Sequence, residues 1–412
     1  MSMSFKNKNL CKVRTITTFL SLNTDKTSWE VEIKKAAAVC AQLTSQLNNT
    51  GYTVQTNRIV TNPFGEYLNT QNLDTAKKDL TYLSDLLLNL DASDIRIRFA
   101  IGEAKTKHEI SLIPELIKEF GDLCNVCVNV DMDENGVLDN ELIIDCAQAV
   151  HQISEITPRG EGNFNFTVNF NCKPLIPYFP ASYHRKELGN CFVIGLETPD
   201  LLVEVLDQAN KTTQLNNHND RFNHYYEVMS EALQHHISII NEVVERESAG
   251  SEFTFSGFDT SAAPSKDCES MVTVYEKMGI EYFGAAGTIE ASALLTRVFK
   301  SLKGIDIVGF SGLMLALTED TGLAKGTIES HYDIRTLLTN SAVCGIGLDT
   351  VPIPGDTPID KVCGLMRDTG TMAFRLNKPL TVRLFPVPNL KAGDMTCFES
   401  DDLCNCAVLV VP

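Results

Sequence analysis

Strand and helix signals alternate without interruption through the N-terminal third of the chain, and that alternation limits the fold more than any other feature. Val13–Leu20 is rich in β-branched residues, as a strand is, and Trp29–Leu47 has the apolar spacing of a helix. Tyr52–Val60, Ile95–Ile101 and Cys124–Val130 repeat the strand signal, and Asp74–Leu90, Glu109–Phe120 and Leu138–Ile153 the helical one. Cys124–Val130 is apolar enough for a strand buried on both faces. This order predicts a parallel α/β architecture. Phe164–Phe170 and Asn190–Gly195 read as further strands, and Leu380–Phe385 and Cys406–Val411 as closing ones. Asp220–Arg246 carries the stripe Phe222, Tyr226, Met229, Leu233, Ile237, Ile240, Val244 and predicts the longest helix, with Gln208–Asp220 before it a surface excursion. No repeat and no linker interrupts the pattern, so residues 1–412 are expected to form a single domain, with residues 1–12 disordered.

Composition narrows the partners. The formal net charge of −18 argues against nucleic acid or an anionic membrane surface, both of which need clustered Lys and Arg. No apolar run is long enough for a membrane span, and Met1–Lys12 lacks the apolar core of a secretory signal. A cytoplasmic location is therefore expected, and the 13 scattered cysteines read as reduced, mostly buried thiols. The Cys124/Cys127 and Cys404/Cys406 pairs lack the further ligands of a zinc site. Asp131–Gly136 with Asp139 imitates the start of a calcium loop, but Leu142 stands where the bidentate glutamate belongs. No metal and no cofactor can be assigned, and no oligomeric state; a homo-oligomer stays open.

The last third changes character. Val343–Pro358 packs three glycines, three prolines and two aspartates into sixteen residues. It is expected to be a short strand (Val343–Leu348), a rigid turn carrying Asp349 and Asp356, and a helix from about Pro358. Asp349 is a candidate acid–base or metal-binding group; Asp356 could bind ligand or cap the helix. Cys344 is either a reactive thiolate or a packed side chain. Asp259 with Ser261 could cradle a polar ligand or form a strand-ending turn. Gly287–Thr288 before a helix could hold an anion on free amides or simply pack tightly, and Ser311–Gly312 has the same ambiguity. His184 lies in Asn171–Glu187, a loop of prolines and aromatics whose length favours a functional role, and is the best-placed histidine for proton transfer.

Several of these segments together resemble a family known as domain of unknown function 711. The residues that carry the resemblance are Arg14–Thr17, Pro177–His184, Asp259–Pro264, Gly284–Thr288, Ser311–Gly312 with Glu319–Asp320, Gly347–Asp349, Ile353–Pro354, Asp356–Pro358 and Gly393–Asp394. The matches are colinear over nearly the whole chain. The resemblance implies a barrel like that of pyruvate formate-lyase, with about ten strands in two parallel half-sheets set antiparallel and helices outside. Radical chemistry does not follow, because Phe398–Pro412 contains no glycine and so no glycyl-radical loop. The expected function is an enzyme of unstated reaction acting on a small polar or anionic metabolite in the barrel mouth. Asp349, Asp259 and His184 would be its catalytic groups, with Ser261, Gly287, Thr288, Ser311, Gly312 and Asp356 holding the ligand. The alternative is a metabolite-binding or regulatory protein on the same scaffold.

Overall fold

A computed structural model describes residues 3–90, 97–121, 123–213, 215 and 217–412. The first half of the chain contains β1 (Lys12–Leu20), α1 (Trp29–Asn49), β2 (Asn57–Thr61), α2 (Leu73–Asn89), β3 (Ile97–Glu103), α3 (Lys107–Phe120), β4 (Asn125–Val130), α4 (Asn140–Ile156) and β5 (Phe166–Phe170). Then follow β6 (Cys191–Glu197), α5 (Pro199–Thr212), α6 (His218–Ser248), β7 (Thr254–Asp259), α7 (Met271–Lys277) and α8 (Thr288–Phe299). The chain closes with α9 (Thr321–Ile328), α10 (Ile334–Asn340), β8 (Gly347–Pro354), α11 (Ile359–Arg375) and β9 (Leu380–Val387).

Among the described residues the strands form one nine-stranded sheet in the order β7-β6-β1-β2-β3-β4-β5-β9-β8. β1 to β5 run parallel, as the alternating signals require. β6 joins β1 and β9 joins β5 antiparallel, while β7 is parallel to β6 and β8 to β9. The four later strands thus all oppose the first five. Residues 305–318 link the two edges: Ile307 bridges Phe258 of β7, and Ala316 bridges Asp349 of β8. Two parallel half-sheets set antiparallel and joined around the circle give the expected barrel, with single bridges standing in for a tenth strand.

Each strand of the first half is two-faced. Ile59, Phe99, Ile101, Val126, Val128, Phe166 and Val168 belong to the main apolar core with the helices. The opposite face carries Thr17, Arg58, Cys127, Asn129, Thr167 and Asn169 and lies inside the barrel. Buried polar groups need partners, and the β5–β6 connection supplies them. Pro177 O accepts from Thr17 Oγ1 (3.0 Å) and Arg58 Nη1 (3.2 Å), and Ala181 O from Asn169 Nδ2 (3.1 Å). Tyr178 OH donates to Leu196 O and accepts from Leu196 N. The proline-aromatic loop is therefore internal, running through the barrel with a cis Phe179–Pro180 bond.

The structure departs from the sequence reading in several places. The β8 strand begins at Gly347 and runs to Pro354, so Asp349 sits in a strand, and only Asp356 lies in the turn. The prolines misled: Pro352 and Pro354 are tolerated because β8 is an edge strand of the ladder. Cys406–Val411 forms an isolated bridge to Met395 and a hydrogen bond from Leu409 N to Pro352 O, but no strand. Gln208–Asp220 is not all excursion, since α5 runs to Thr212 and α6 starts at His218. Residues expected to be disordered form two short 3₁₀ turns, Met3–Lys6 and Lys8–Leu10, held where buried Phe5 offers its carbonyl to His236 Nε2 at 2.6 Å.

The start of β8 is sterically exacting. Gly347 has φ +96°, and a Cβ there would lie 2.4 Å from Thr381 O on β9. Gly347→Ala is expected to cost about 2–4 kcal/mol in a urea titration; a loss below about 0.5 kcal/mol, the level of an ordinary surface change, would show the strand start to be slack.

Candidate functional site

The polar inner face does not close completely. A cavity of about 50 Å³ remains between the N-terminal part of β1 and β2, β8 and β9, the internal loop and residues 310–319. It lies beyond the carboxyl end of β7, where Ala263 and Pro264 line it, and against the amino-terminal halves of β8 and β9, at Ile346, Asp349, Thr381 and Arg383.

One wall is an ion cluster. Arg383 of β9, 5 % exposed, donates from Nε to Asp349 Oδ1 (2.6 Å) and from Nη2 to Glu319 Oε1 (2.5 Å). Its third nitrogen, Nη1, reaches Phe164 O at 3.2 Å, and the guanidinium lies 4.9 Å from the Phe164 ring. Burial works against its charge, but the two carboxylates outweigh burial and hold Arg383 above the usual arginine range. Burial raises Glu319, with Asp349 adding to the rise and Arg383 opposing it. Asp349, 3 % exposed, keeps its second oxygen, Oδ2, without a hydrogen-bond partner.

Across the cavity stands Arg58 of β2, 6 % exposed. Its protein contacts are Pro177 O and the Phe179 ring at 4.9 Å, and its Nε has no partner. Among the described residues no carboxylate lies within ion-pair range of it. Burial, with Arg14 and Arg98 nearby, pulls its pKa down to about 9, so the cation persists at neutral pH although its site is costly for charge. Arg14 at the cavity edge is engaged, donating from Nη1 to Glu197 Oε2 and Gln55 Oε1, both at 3.3 Å. Apolar Phe310, Met314, Ala316 and Ile346 complete the walls.

The sequence candidates divide between this cavity and other places. Asp349 lines it. Asp259 lies at the end of β7, wholly buried, and accepts from Ser261 N, Ser261 Oγ, Phe310 N and Ser311 N at 2.6–3.0 Å. Burial raises its pKa against those four bonds. Gly312 N donates to Ser261 Oγ, and Ser311 Oγ donates to Val308 O. Asp259, Ser261, Ser311 and Gly312 are thus brought together as a clamp on the turn that sets Phe310 into the cavity wall. Gly287 is the N-cap of α8, and Thr288 Oγ1 closes the turn before the helix, donating to Ala285 O and accepting from Gly284 N. They do not line the cavity. Asp356 is exposed on the β8–α11 turn, and Thr357 there closes the turn on Pro354 O. Asp133 and Asp139 of the calcium-like loop are occupied in a turn and in capping α4.

His184 is fully buried beside Phe19, with no partner on either ring nitrogen, and does not line the cavity. Arg58 and Arg383 were not singled out from sequence, and Glu319 was named only among the residues that carry the family resemblance. A usable signal existed: Arg58 and Arg383 each interrupt an otherwise uncharged strand. An arginine buried there must either pair or face a ligand.

The comparisons with known proteins come to one family. The family model described as Uncharacterised ACR (DUF711) matches residues 4–399, and the chain belongs to that family. A UPF0210 protein of Clostridium beijerinckii is 26 % identical over 300 residues, which are 70 % of this chain and 63 % of that protein. Another, from Neisseria meningitidis serogroup B, is 25 % identical over 295 residues with the same coverage. A third, from Pyrobaculum aerophilum, is 32 % identical over 238 residues, 56 % of this chain and 50 % of that one. The matched segments thus span less than two thirds of these relatives' length. Among solved structures, the anaerobic ribonucleotide reductase of Thermotoga maritima with citrate in its active site aligns at TM-score 0.43 and 7 % identity, over 90 % of this chain and 80 % of that one.

Burial pushes the pKa of His184 down to about 4. In the unfolded chain an ordinary histidine titrates near 6.5, so between these values the unfolded state binds more protons and stability falls as pH falls. His184→Phe should remove a loss on the order of 3 kcal/mol between about pH 6.5 and pH 4. Denaturant midpoints of wild type and variant across that window give the difference directly. Buried Asp259 and Asp320, both raised, act in the opposite sense in both proteins and cancel in it. Parallel profiles would mean His184 gains a partner the structure does not show.

Proposed function

We propose that this member of the DUF711 family is an enzyme that takes a small carboxylate-bearing metabolite into its barrel cavity. The reading rests on one observation: Arg58 and Asp349 line the same cavity, and a buried guanidinium nitrogen of the one, Nε, and a buried carboxylate oxygen of the other, Oδ2, have no hydrogen-bond partner among the described residues. An unpaired buried charge costs several kcal/mol, and a cation kept in that state marks a place where an anion binds.

In this reading Arg58 anchors the carboxylate, and the internal loop keeps bulk water out. Asp349 and Glu319 are the proton-transfer pair. They share Arg383, which orients both, and they differ in environment: Glu319 is pushed toward its protonated form, and Asp349 Oδ2 is free to accept. Two carboxyl groups in unlike surroundings are the usual means of placing an acid and a base in one site. Asp259, with Ser261, Ser311 and Gly312, positions the wall. His184, neutral and uncommitted, is a reserve proton carrier within the internal loop.

The charge of Arg58 supplies the test. If it is held for a ligand, replacing it by an apolar residue of similar length relieves a buried charge. Arg58→Met is then expected to raise folding stability by about 1–4 kcal/mol in denaturant titrations while abolishing stabilisation by small carboxylates. A fall in stability of 3 kcal/mol or so, as when a structural ion pair is broken, would defeat the reading. For catalysis, wild-type protein incubated with a metabolite extract should consume one small carboxylate detectable by mass spectrometry. Asp349→Asn should slow that consumption by about a hundredfold or more.

A further inference from the structure

Beyond a carboxylate, the two unpartnered atoms constrain the other end of the ligand, and this inference rests on the cavity reading above. Arg58 Nε can only donate, so the ligand brings an acceptor to it. Asp349 Oδ2, its sister oxygen already taken by Arg383 Nε, can only accept while ionised, so the ligand brings a donor. Both groups are more than nine-tenths buried.

Charge then sorts the candidate ligands. Arg383 is one cation shared by Asp349 and Glu319; with Glu319 protonated that wall is neutral as a whole, and what it turns to the cavity is the free carboxylate oxygen Asp349 Oδ2. A dicarboxylate or a phosphate ester would set a second anionic group against it, and like charges in a dry cavity repel strongly. An amine without a carboxylate would leave Arg58 unpaired. A hydroxy acid would satisfy the hydrogen bonds, but an ammonium makes the stronger, charge-assisted bond to the Asp349 carboxylate oxygen.

Size and lining restrict the ligand further. A water needs roughly 10–15 Å³ of such space, so the cavity of about 50 Å³ holds the equivalent of about three to five waters, the scale of the smallest amino acids, whose bonded atoms lie closer together than waters do. Met314, Ala316 and Ile346 offer an apolar surface to whatever lies between the two charged ends. We infer that the ligand is a small zwitterion, an α-amino acid with a short apolar side chain, its carboxylate on Arg58 and its ammonium on Asp349 Oδ2.

Isothermal calorimetry on the full chain tests this with five probes: L-alanine, D-alanine, L-lactate, propionate and ethylamine. One alanine enantiomer is expected to bind at least about tenfold more tightly than lactate, propionate or ethylamine. Arg58→Met should lose alanine and propionate alike. Asp349→Asn should bring alanine down to the affinity of lactate, and Glu319→Gln is the second variant should Asp349→Asn fail to fold. Propionate or lactate binding as tightly as alanine would overturn the zwitterion and leave the carboxylate site standing. Binding of none of the five, with Arg58→Met no more stable than wild type, would remove both.

Discussion

Arg383 is where three parts of the chain meet. It sits on β9, pairs with Asp349 on β8, and holds Glu319 at the end of the segment that links the two edges of the sheet. Its remaining nitrogen reaches Phe164, ahead of β5 in the opposite half-sheet. One fully engaged guanidinium therefore ties both half-sheets to the linking segment. The arrangement is stiff because a guanidinium presents its donors in a fixed plane, and lysine could not reach the same three acceptors. Burying three charges together is tolerable only because every nitrogen is satisfied.

Seen from that tie, the two charged walls of the cavity differ in kind. The Arg383 wall is internally balanced but for one carboxylate oxygen. The Arg58 wall is unbalanced, and the protein offers it only a carbonyl and an aromatic ring. A fold selected for stability alone would not keep such a group, since an apolar residue of equal length fits the same volume at lower cost. The contrast between a satisfied arginine and an unsatisfied one, on facing strands, separates scaffold from site here.

Much of the fold was legible because its signals are local. The β-branched runs and apolar stripes gave every strand of the parallel half and its helices, within a few residues. Where the reading failed, a local rule met a tertiary context. Prolines suggested a turn at Asp349, yet an edge strand accommodates them. Glycine and threonine at the start of α8 looked like an anion cradle, yet Thr288 spends its hydroxyl on closing the turn before the helix. Asp349 was legible as special because of its neighbours, but Arg58 and Arg383 lie 325 positions apart in sequence and acquire meaning only when the barrel brings them to one cavity. Asp259 and Ser311 were correctly grouped in interest but not in role, since nothing local says that a carboxylate will spend itself on four backbone and hydroxyl donors.

The internal loop has a consequence for how such a chain can vary. Its contribution to the polar inner face is made largely through main-chain carbonyls, at Pro177, Ala181 and Ser182, and not through side chains. Any residue type carries a carbonyl. Side chains of the loop can therefore change without orphaning Thr17 or Asn169, whereas a change at Phe179 also takes away the ring that faces Arg58. Specificity is in this way uncoupled from foldability: the barrel provides a fixed electrostatic frame around an interchangeable lining, a division of labour well suited to redesign of what the cavity admits.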